Sequence, residues 1–299
     1  MENKIRITVF TPAYNREKCL PNGYHALQRQ TCKDFIWLIV DDGSKDNTRA
    51  LVQKWQNEDN DFEIRYIYKE NGGLHTAYNT AIANMDTELC VCVDSDDYMP
   101  DDAIERILNF WDKYGSDDVA GIVGLDYTPD GKRLGDKLPE QKTVNLIDLL
   151  TGKYKIDNKD RKNVVRTELY KQVAPMKSFE GEKNFNPHYM HLLISLKYDF
   201  LVMNENLCFV DYQPDGMEAN MLWQYYNSPN SFAEIRLLYL SFPDTPLKFK
   251  IRNSIHYCSS CILAKRKHFI RKGPHSVLAL ACLPAGFMLS RYIISKNKK

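Results

Sequence analysis

Leu89-Cys90-Val91-Cys92-Val93-Asp94-Ser95-Asp96-Asp97 is the stretch on which the fold turns. Its first five residues are all apolar, which predicts a strand buried on both faces, as in a parallel sheet covered by helices. That strand runs straight into three carboxylates within four residues. The same layout precedes it. Ile5 to Thr11 is a β-rich run ending in Pro12-Ala13-Tyr14-Asn15-Arg16. Phe35 to Val40 is a second buried strand, stopped by Asp41-Asp42-Gly43-Ser44, and Ile64 to Tyr68 is a third. Helical stretches lie between them. One covers about Cys19 to Gln30, and another, capped by Ser44 or Asp46, passes through Leu51 and Trp55. Thr76 to Met85 follows a Gly72-Gly73 turn, and Ala103 to Trp111 follows Pro100-Asp101-Asp102. This alternation predicts an α/β, Rossmann-like domain with a mainly parallel central sheet, whose ligand loops follow the strands.

Beyond Gly115 the pattern loosens. Gly121 to Tyr127 reads as a strand, Pro129-Asp130-Gly131 as a turn, and Leu146 to Leu150 as an amphipathic piece in the otherwise polar, basic stretch 132–163. Asn163 to Leu169 is expected to pass beneath the site. An acidic loop, Phe179 to Phe185, precedes a helix near Tyr189 to Lys197, and Phe200 to Tyr212 is strand-like. Pro214-Asp215-Gly216 marks a boundary, after which helical signals dominate, Phe232 to Phe242 among them. The expected organisation is therefore a first half over 1–115, a second over 116–215 and a helical C-terminal region over 216–299.

The 299 residues hold 40 lysines and arginines against 39 aspartates and glutamates, and a net charge of +1 gives no reason to expect a nucleic-acid binder. Eight cysteines at irregular spacings, and a start without an apolar signal core, fit a reducing, intracellular location without disulfides. Cys258 and Cys261 form a lone CxxC, read as buried or membrane-facing small residues rather than a zinc or redox site. The last 40 residues are strongly basic. Lys265-Arg266-Lys267-His268 and Arg271-Lys272 precede the apolar Ser276 to Ile294, which Pro284, Gly286 and Arg291 interrupt. A segment lying on or dipping into a membrane, flanked by cations that meet anionic headgroups, fits this better than a span.

The predicted strand ends bring carboxylates together. Asp41-Asp42 and Asp94 to Asp97 would converge on one sheet edge, where unpaired they would repel. A cation resolves the repulsion. Hard oxygen ligands select magnesium or manganese, usually held by one or two carboxylates plus substrate phosphates, which points to a nucleoside diphosphate. Asp94 and Asp96, one residue apart on a turn, can both face the ion or a ribose. No Walker-type or G-x-G-x-x-G loop is present, which argues against a P-loop NTPase or a dinucleotide dehydrogenase.

Taken as a set, Pro12-Ala13-Tyr14-Asn15-Arg16, Val40 to Thr48, Asn71-Gly72-Gly73 with Ala77 and Asn79, and Asp94-Ser95-Asp96-Asp97-Tyr98 resemble the family 2 glycosyltransferases of GT-A fold. The match covers roughly residues 5–110, with a weaker continuation at Gly181-Glu182 and Phe185. The resemblance implies that Pro12, Ala13 and Tyr14 line a base pocket and that Asp42 accepts from a uracil imide, favouring a UDP-sugar. It places Asp94 near the ribose or metal and Asp96 on a Mn or Mg ion across the diphosphate. Arg16, Asn71, Gly73 and Ser95 complete the donor-binding set. Family members invert the anomeric centre and need a base, whose position Glu182 matches, with Glu180 in reserve. Two departures stand out. Lys183 stands where many relatives have Asp, and Tyr78 where the family commonly has Arg, so Lys69, Arg16 or His75 would have to meet the diphosphate. His188 and His191 are left out of the catalytic set, and Trp223, Tyr225 and Tyr226 line an acceptor groove or pack in the core.

The implied activity is transfer of a sugar from a nucleotide donor to a saccharide or polyprenyl-diphosphate-linked acceptor in polysaccharide or cell-surface glycan synthesis. The implied place is cytoplasmic, peripheral on the inner face of the cell membrane. The rivals are a nucleotidyltransferase, which should show a Gly-rich, basic loop after the first strand, and a non-catalytic nucleotide-sugar-binding or membrane-surface protein.

Overall fold

The computed structural model describes residues 5–211 and 220–297; Tyr212 and the boundary expected at Pro214-Asp215-Gly216 lie outside them. The strands are β1 (Ile7–Ala13), β2 (Phe35–Asp41), β3 (Glu63–Tyr68), β4 (Leu89–Cys92), β5 (Val119–Tyr127), β6 (Thr143–Val144), β7 (Arg161–Arg166) and β8 (Asp199–Phe209). Helices α1 (Leu20–Gln28), α2 (Thr48–Gln56), α3 (Leu74–Ala83) and α4 (Ala103–Tyr114) alternate with the first strands. Later come α5 (Leu146–Thr151), α6 (Thr167–Val173), α7 (His188–Ser195), α8 (Met221–Asn227), α9 (Pro229–Ser241), α10 (Leu247–Leu263), α11 (Phe269–Lys272) and α12 (Ser276–Asn297).

The chain divides into two compact units. The first comprises Met1–Gly72, Thr76–Pro175 and Met190–Gln213, and the second Gly73–His75, Met176–Tyr189 and Pro214–Lys299.

An eight-stranded sheet in the order β3-β2-β1-β4-β7-β5-β8-β6 organises the first unit. Strands β3, β2, β1 and β4 are mutually parallel, as the alternation predicts. The sheet turns mixed where β7 runs antiparallel to both β4 and β5. Every residue of β1 and β2 is buried, the apolar run Phe35 to Val40 and the threonines of β1 alike, whereas the edge strand β3 is half exposed. Helix α4 buries Ala103, Ile104, Ile107, Leu108 and Trp111, one stripe at helical spacing. Near α1 and α2 the core is aromatic: the Tyr24 and Trp55 rings stack at 4.3 Å, and Trp37 donates to Thr11 Oγ1 at 3.0 Å. Gly121 admits β7 closely. Its φ is +147°, and a Cβ there would lie 2.0 Å from the Val164 carbonyl oxygen.

The second unit is built on α8 to α12. Helix α12 packs with its small residues Ala279, Cys282, Gly286 and Ser290, and a Cβ on Gly286 would stand 2.5 Å from Cys258 Cβ. Cys258 and Cys261 are buried in this packing. Burial pushes their thiols up to about 12 and about 11, so both stay protonated, as packing residues do.

Candidate active site

In the order 3-2-1-4 the strand sequence reverses direction between β1 and β4, and the crevice outside the carboxyl ends at such a point is where open α/β sheets take ligands. The register sets the positions. Ala13 lies opposite Asp41, Phe10 lies opposite Cys92, and Asp42 donates its amide to the Ala13 carbonyl at 2.8 Å. The loops that leave β1 and β2 are laced together. Asn15, at φ +55°, donates its amide to Ser44 Oγ at 2.8 Å and accepts from the Lys45 amide at 2.8 Å; Asn tolerates this backbone region better than most residues. Arg16 N reaches Thr48 Oγ1 at 2.9 Å, and Asn47 N reaches Glu17 Oε2 at 2.9 Å. The N-cap of α2 is Asn47 rather than Ser44 or Asp46, and Asp46 one residue earlier accepts from Thr48 N and Oγ1 at 3.0 and 2.6 Å.

The two aspartates after β2 have different partners. Asp41 holds its own turn, accepting from the Ser44 amide at 2.7 Å and the Tyr66 hydroxyl at 2.6 Å. Asp42 is buried and ties this turn to the one before α3. It accepts from Lys69 Nζ at 2.5 Å, the Gly72 amide at 3.0 Å and Asn71 Nδ2 at 3.2 Å. Pro12 and Ala13 end β1, and Tyr14 stands 42 % exposed beyond them.

In the acidic run Asp94 is exposed, Asp96 half-buried, and Ser95 and Asp97 buried. The Asp97 amide closes a turn on the Asp94 carbonyl at 3.0 Å. Arg16 Nε donates to Ser95 Oγ at 3.0 Å, which puts a guanidinium beside the run. Burial, then the Asp94 charge, raise the Asp96 carboxyl, while Arg16 opposes them. Of the three stand-ins for the family arginine, Arg16 alone bonds this run. Lys69 is bonded to Asp42, the Glu70 carbonyl and Thr76 Oγ1, and His75 Nε2 lies 3.1 Å from Ser178 Oγ. Tyr78 is core, edge-on to Phe10 at 5.0 Å.

Beneath the run lies a group absent from the sequence reading. Lys162 on β7 is buried, with Nζ 3.7 Å from Asp97 Oδ2. Burial alone would lower its pKa, but Cys208, Asp126, Asp97 and Asp94 hold it well above the usual lysine value. Asp97 also accepts from the Asp211 amide at 3.3 Å, and burial raises its carboxyl against the opposing Lys162 charge. Asp126, 2 % exposed, has no hydrogen bond to Oδ1, and burial pushes its carboxyl up to about 6. Lys162 was one lysine in a polar stretch; only the pairing of β7 with β4 and β5 makes it an interior cation.

The donor set suits a hard divalent ion: exposed and half-buried carboxylates, with no imidazole or thiolate required. Among the described residues no three His, Cys, Asp or Glu side chains cluster to hold a metal by themselves. An ion at Asp94 and Asp96 would therefore take further ligands from the substrate.

The second unit carries the remaining sequence-predicted residues. Gly73, at φ +95°, lies against the Lys183 carbonyl, which a Cβ would meet at 1.9 Å. Glu182 is buried at the start of α9. It accepts from the Asn230 amide on Oε1 and from the Ser231 amide and hydroxyl on Oε2, all at 2.7 Å, while Glu180 is exposed. A carboxylate there satisfies amides that the helix leaves unpaired. Trp223 is 59 % exposed and Tyr226 is 41 % exposed, whereas Tyr225 packs on Phe232 and His256. In the first unit His191 is structural, with Nε2 2.6 Å from the Tyr170 hydroxyl.

The model of glycosyl transferase family 2 matches residues 8–178, more than half of the chain, and the chain belongs to that family. Among curated relatives, glycosyltransferase GlyA of Streptococcus pneumoniae is 34 % identical over 116 residues, 39 % of this chain and 16 % of its own length. The putative teichuronic acid biosynthesis glycosyltransferase TuaG of Bacillus subtilis is 31 % identical over 104 residues, 35 % of this chain and 41 % of its own. The chain thus spans less than half the length of these relatives. Two solved structures share the GT-A fold. Staphylococcus aureus TarS 1-349 with UDP-GlcNAc has a TM-score of 0.60 at 19 % identity, covering 89 % of this chain and 76 % of that one. Mannosyltransferase PcManGT of Pyrobaculum calidifontis, with GDP-Man and Mn2+, has a TM-score of 0.58 at 16 % identity, covering 99 % and 88 %.

Two measurements test the buried charges. Lys162→Met strands Asp97 without its cation and is expected to cost about 3–5 kcal/mol in chemical denaturation, with Lys162→Met/Asp97→Asn recovering part of the loss. Asp126 should bind a proton in the folded state up to about pH 6 but in the unfolded state only to its ordinary value of 3.8. Its contribution to stability is therefore present below that value and lost as pH rises through about 6. The stability of wild type relative to Asp126→Asn is expected to fall across this window by up to about 3 kcal/mol, and a flat difference would contradict the assignment.

Proposed function

We propose that this chain moves a sugar from a nucleotide-linked donor, read as a UDP-sugar, to a hydroxyl of a saccharide or polyprenyl-diphosphate-linked acceptor, with inversion, in polysaccharide or cell-surface glycan synthesis. The observation that carries the reading is the convergence of three strand-end loops, bearing Tyr14, Asp42 and Asp94 with Asp96, at the reversal point of the sheet. The UDP-GlcNAc and GDP-Man complexes of structures sharing this fold support a nucleotide-sugar there. The reading places the enzyme at the cytoplasmic face of the cell membrane, met through the C-terminal segment.

In this reading Pro12, Ala13 and Tyr14 line the base pocket and Asp42 takes the uracil imide. Arg16, Asn71, Gly73 and Ser95 complete the donor-binding set. Asp96, with Asp94, would hold a manganese or magnesium ion, which when bound neutralises charge on the departing diphosphate. Arg16 adds a fixed positive charge to the same end of the site. Glu182 is the base by its place in the family pattern, and its helix-capping bonds fix where the carboxylate stands.

Asp96→Ala is expected to retain its fold, lose the manganese-dependent thermal shift with UDP, and lose transfer by about a hundredfold or more; full activity in EDTA would sink the metal role. Glu182→Gln is expected to lower stability by about 1–2 kcal/mol, because an amide replaces an anion that caps a helix. Assayed well below its melting temperature, it should bind UDP near normally yet transfer about a hundredfold more slowly. An unchanged rate would leave Glu182 as an anchor only and move the base to Glu180.

A further inference from the structure

All 39 carboxylates of the chain precede residue 245, and the 55 residues after Asp244 hold 12 of its 40 lysines and arginines. A region carrying +12 thus follows one carrying −11. The same region exposes apolar side chains in an ordered way. Helix α12 turns Ala279, Cys282, Gly286, Ser290 and Ile293 inward. Its opposite stripe presents Val277, Leu280, Pro284, Phe287 and Met288 to solvent, four of them more than half exposed. Arg291 and Lys296 follow on the exposed surface, with Tyr292 49 % exposed between them. Beside α12, helix α10 lines an open groove of about 620 Å³ with Leu247, Lys248, Ile251, Arg252, Ile255 and His256. Alternating apolar and cationic side chains on one helix fit a boundary between hydrocarbon and anionic headgroups.

By length and composition alone α12 could cross a bilayer. Its packing argues otherwise. Gly286 sits against the Ile255 carbonyl and Cys258, Cys258 Sγ donates to the Ala279 carbonyl at 3.4 Å, and Cys282 Sγ points to the Ile251 carbonyl at 3.9 Å. A spanning α12 would have to leave this packing or carry Lys248, Lys250 and Arg252 of α10 into hydrocarbon, where charged side chains are disfavoured. Lying flat demands neither, because long cationic side chains can reach headgroups while their stems stay in the apolar layer.

We propose that the exposed face of α12, with the adjoining groove of α10, is a monotopic docking surface for an anionic lipid bilayer. It seats the protein in the interface plane without a span. This deepens the membrane side of the proposed function and rests on that reading only for which face of the cell it meets.

The test is co-sedimentation of the full chain with vesicles of phosphatidylcholine alone and of phosphatidylcholine with phosphatidylglycerol. Binding is expected to the second and not the first, and to weaken as salt rises. Leu280→Glu/Phe287→Glu should weaken partitioning at least about tenfold, with the melting temperature and UDP binding kept. Lys248→Glu/Arg252→Glu should abolish the preference for anionic vesicles. Equal binding to both vesicles, no binding, or no effect of Leu280→Glu/Phe287→Glu overturns the proposal. Protection of the C-terminal end from added protease in sealed vesicles shows a span and overturns it too. A dimer in light scattering that Leu280→Glu/Phe287→Glu dissociates assigns the face to a second copy instead. UDP binding is read on the same samples, so loss of the donor reading and loss of the membrane reading register separately.

Discussion

Asp94, Asp96, Asp97, Asp126 and Asp211 gather at one end of the sheet, and one lysine sits among them. Lys162 is buried against Asp97 while Asp126 and Asp94 raise its pKa further, so it stays charged in the interior. Burial raises the Asp97 and Asp126 carboxyls, and the Lys162 charge opposes that rise without cancelling it. Within the acidic run Asp97 is buried beside that lysine, whereas Asp96 is half-buried and Asp94 exposed.

Backbone register does the rest of the placement. Parallel β1 and β2 end opposite each other at Ala13 and Asp41, and β4 ends three residues short of them, opposite Phe10, so their loops emerge side by side. Hydrogen bonds between Asn15, Arg16 and Glu17 and the loop at 44–48 then fix the first two loops as one structure. Asp42 performs the same service toward Asn71 and Gly72. Much of the polar chemistry near the site is thus spent on holding loops, and both carboxylates of the Gly-containing turn 41–44 are buried in bonds of this kind.

The second unit uses a different principle. Its helices approach closely because small residues face one another, Gly286 against Cys258 above all. The larger side chains of α12 are consequently displaced to the outer face, where they stay exposed. Cys258 and Cys261, suggestive as a CxxC pair, are part of this close packing, and burial keeps both thiols protonated.

The parallel strands, the carboxylates at their ends and the family pattern were legible in the sequence, because buried strands need unbroken apolar runs and turns need Asp, Asn or Gly. Those signals are local, carried by residues within one element. What only the tertiary structure decided involves residues far apart in the chain. It made Lys162 an interior cation by running β7 between β4 and β5, brought Asp126 and Asp211 to the acidic run, and committed Lys69 to Asp42. It also set the Glu182 carboxylate on the first turn of α9, 48 residues further on. No local rule ranks one lysine or glutamate above another in a polar stretch. Burial and partner supply that rank, and both depend on which strands and helices come to lie together.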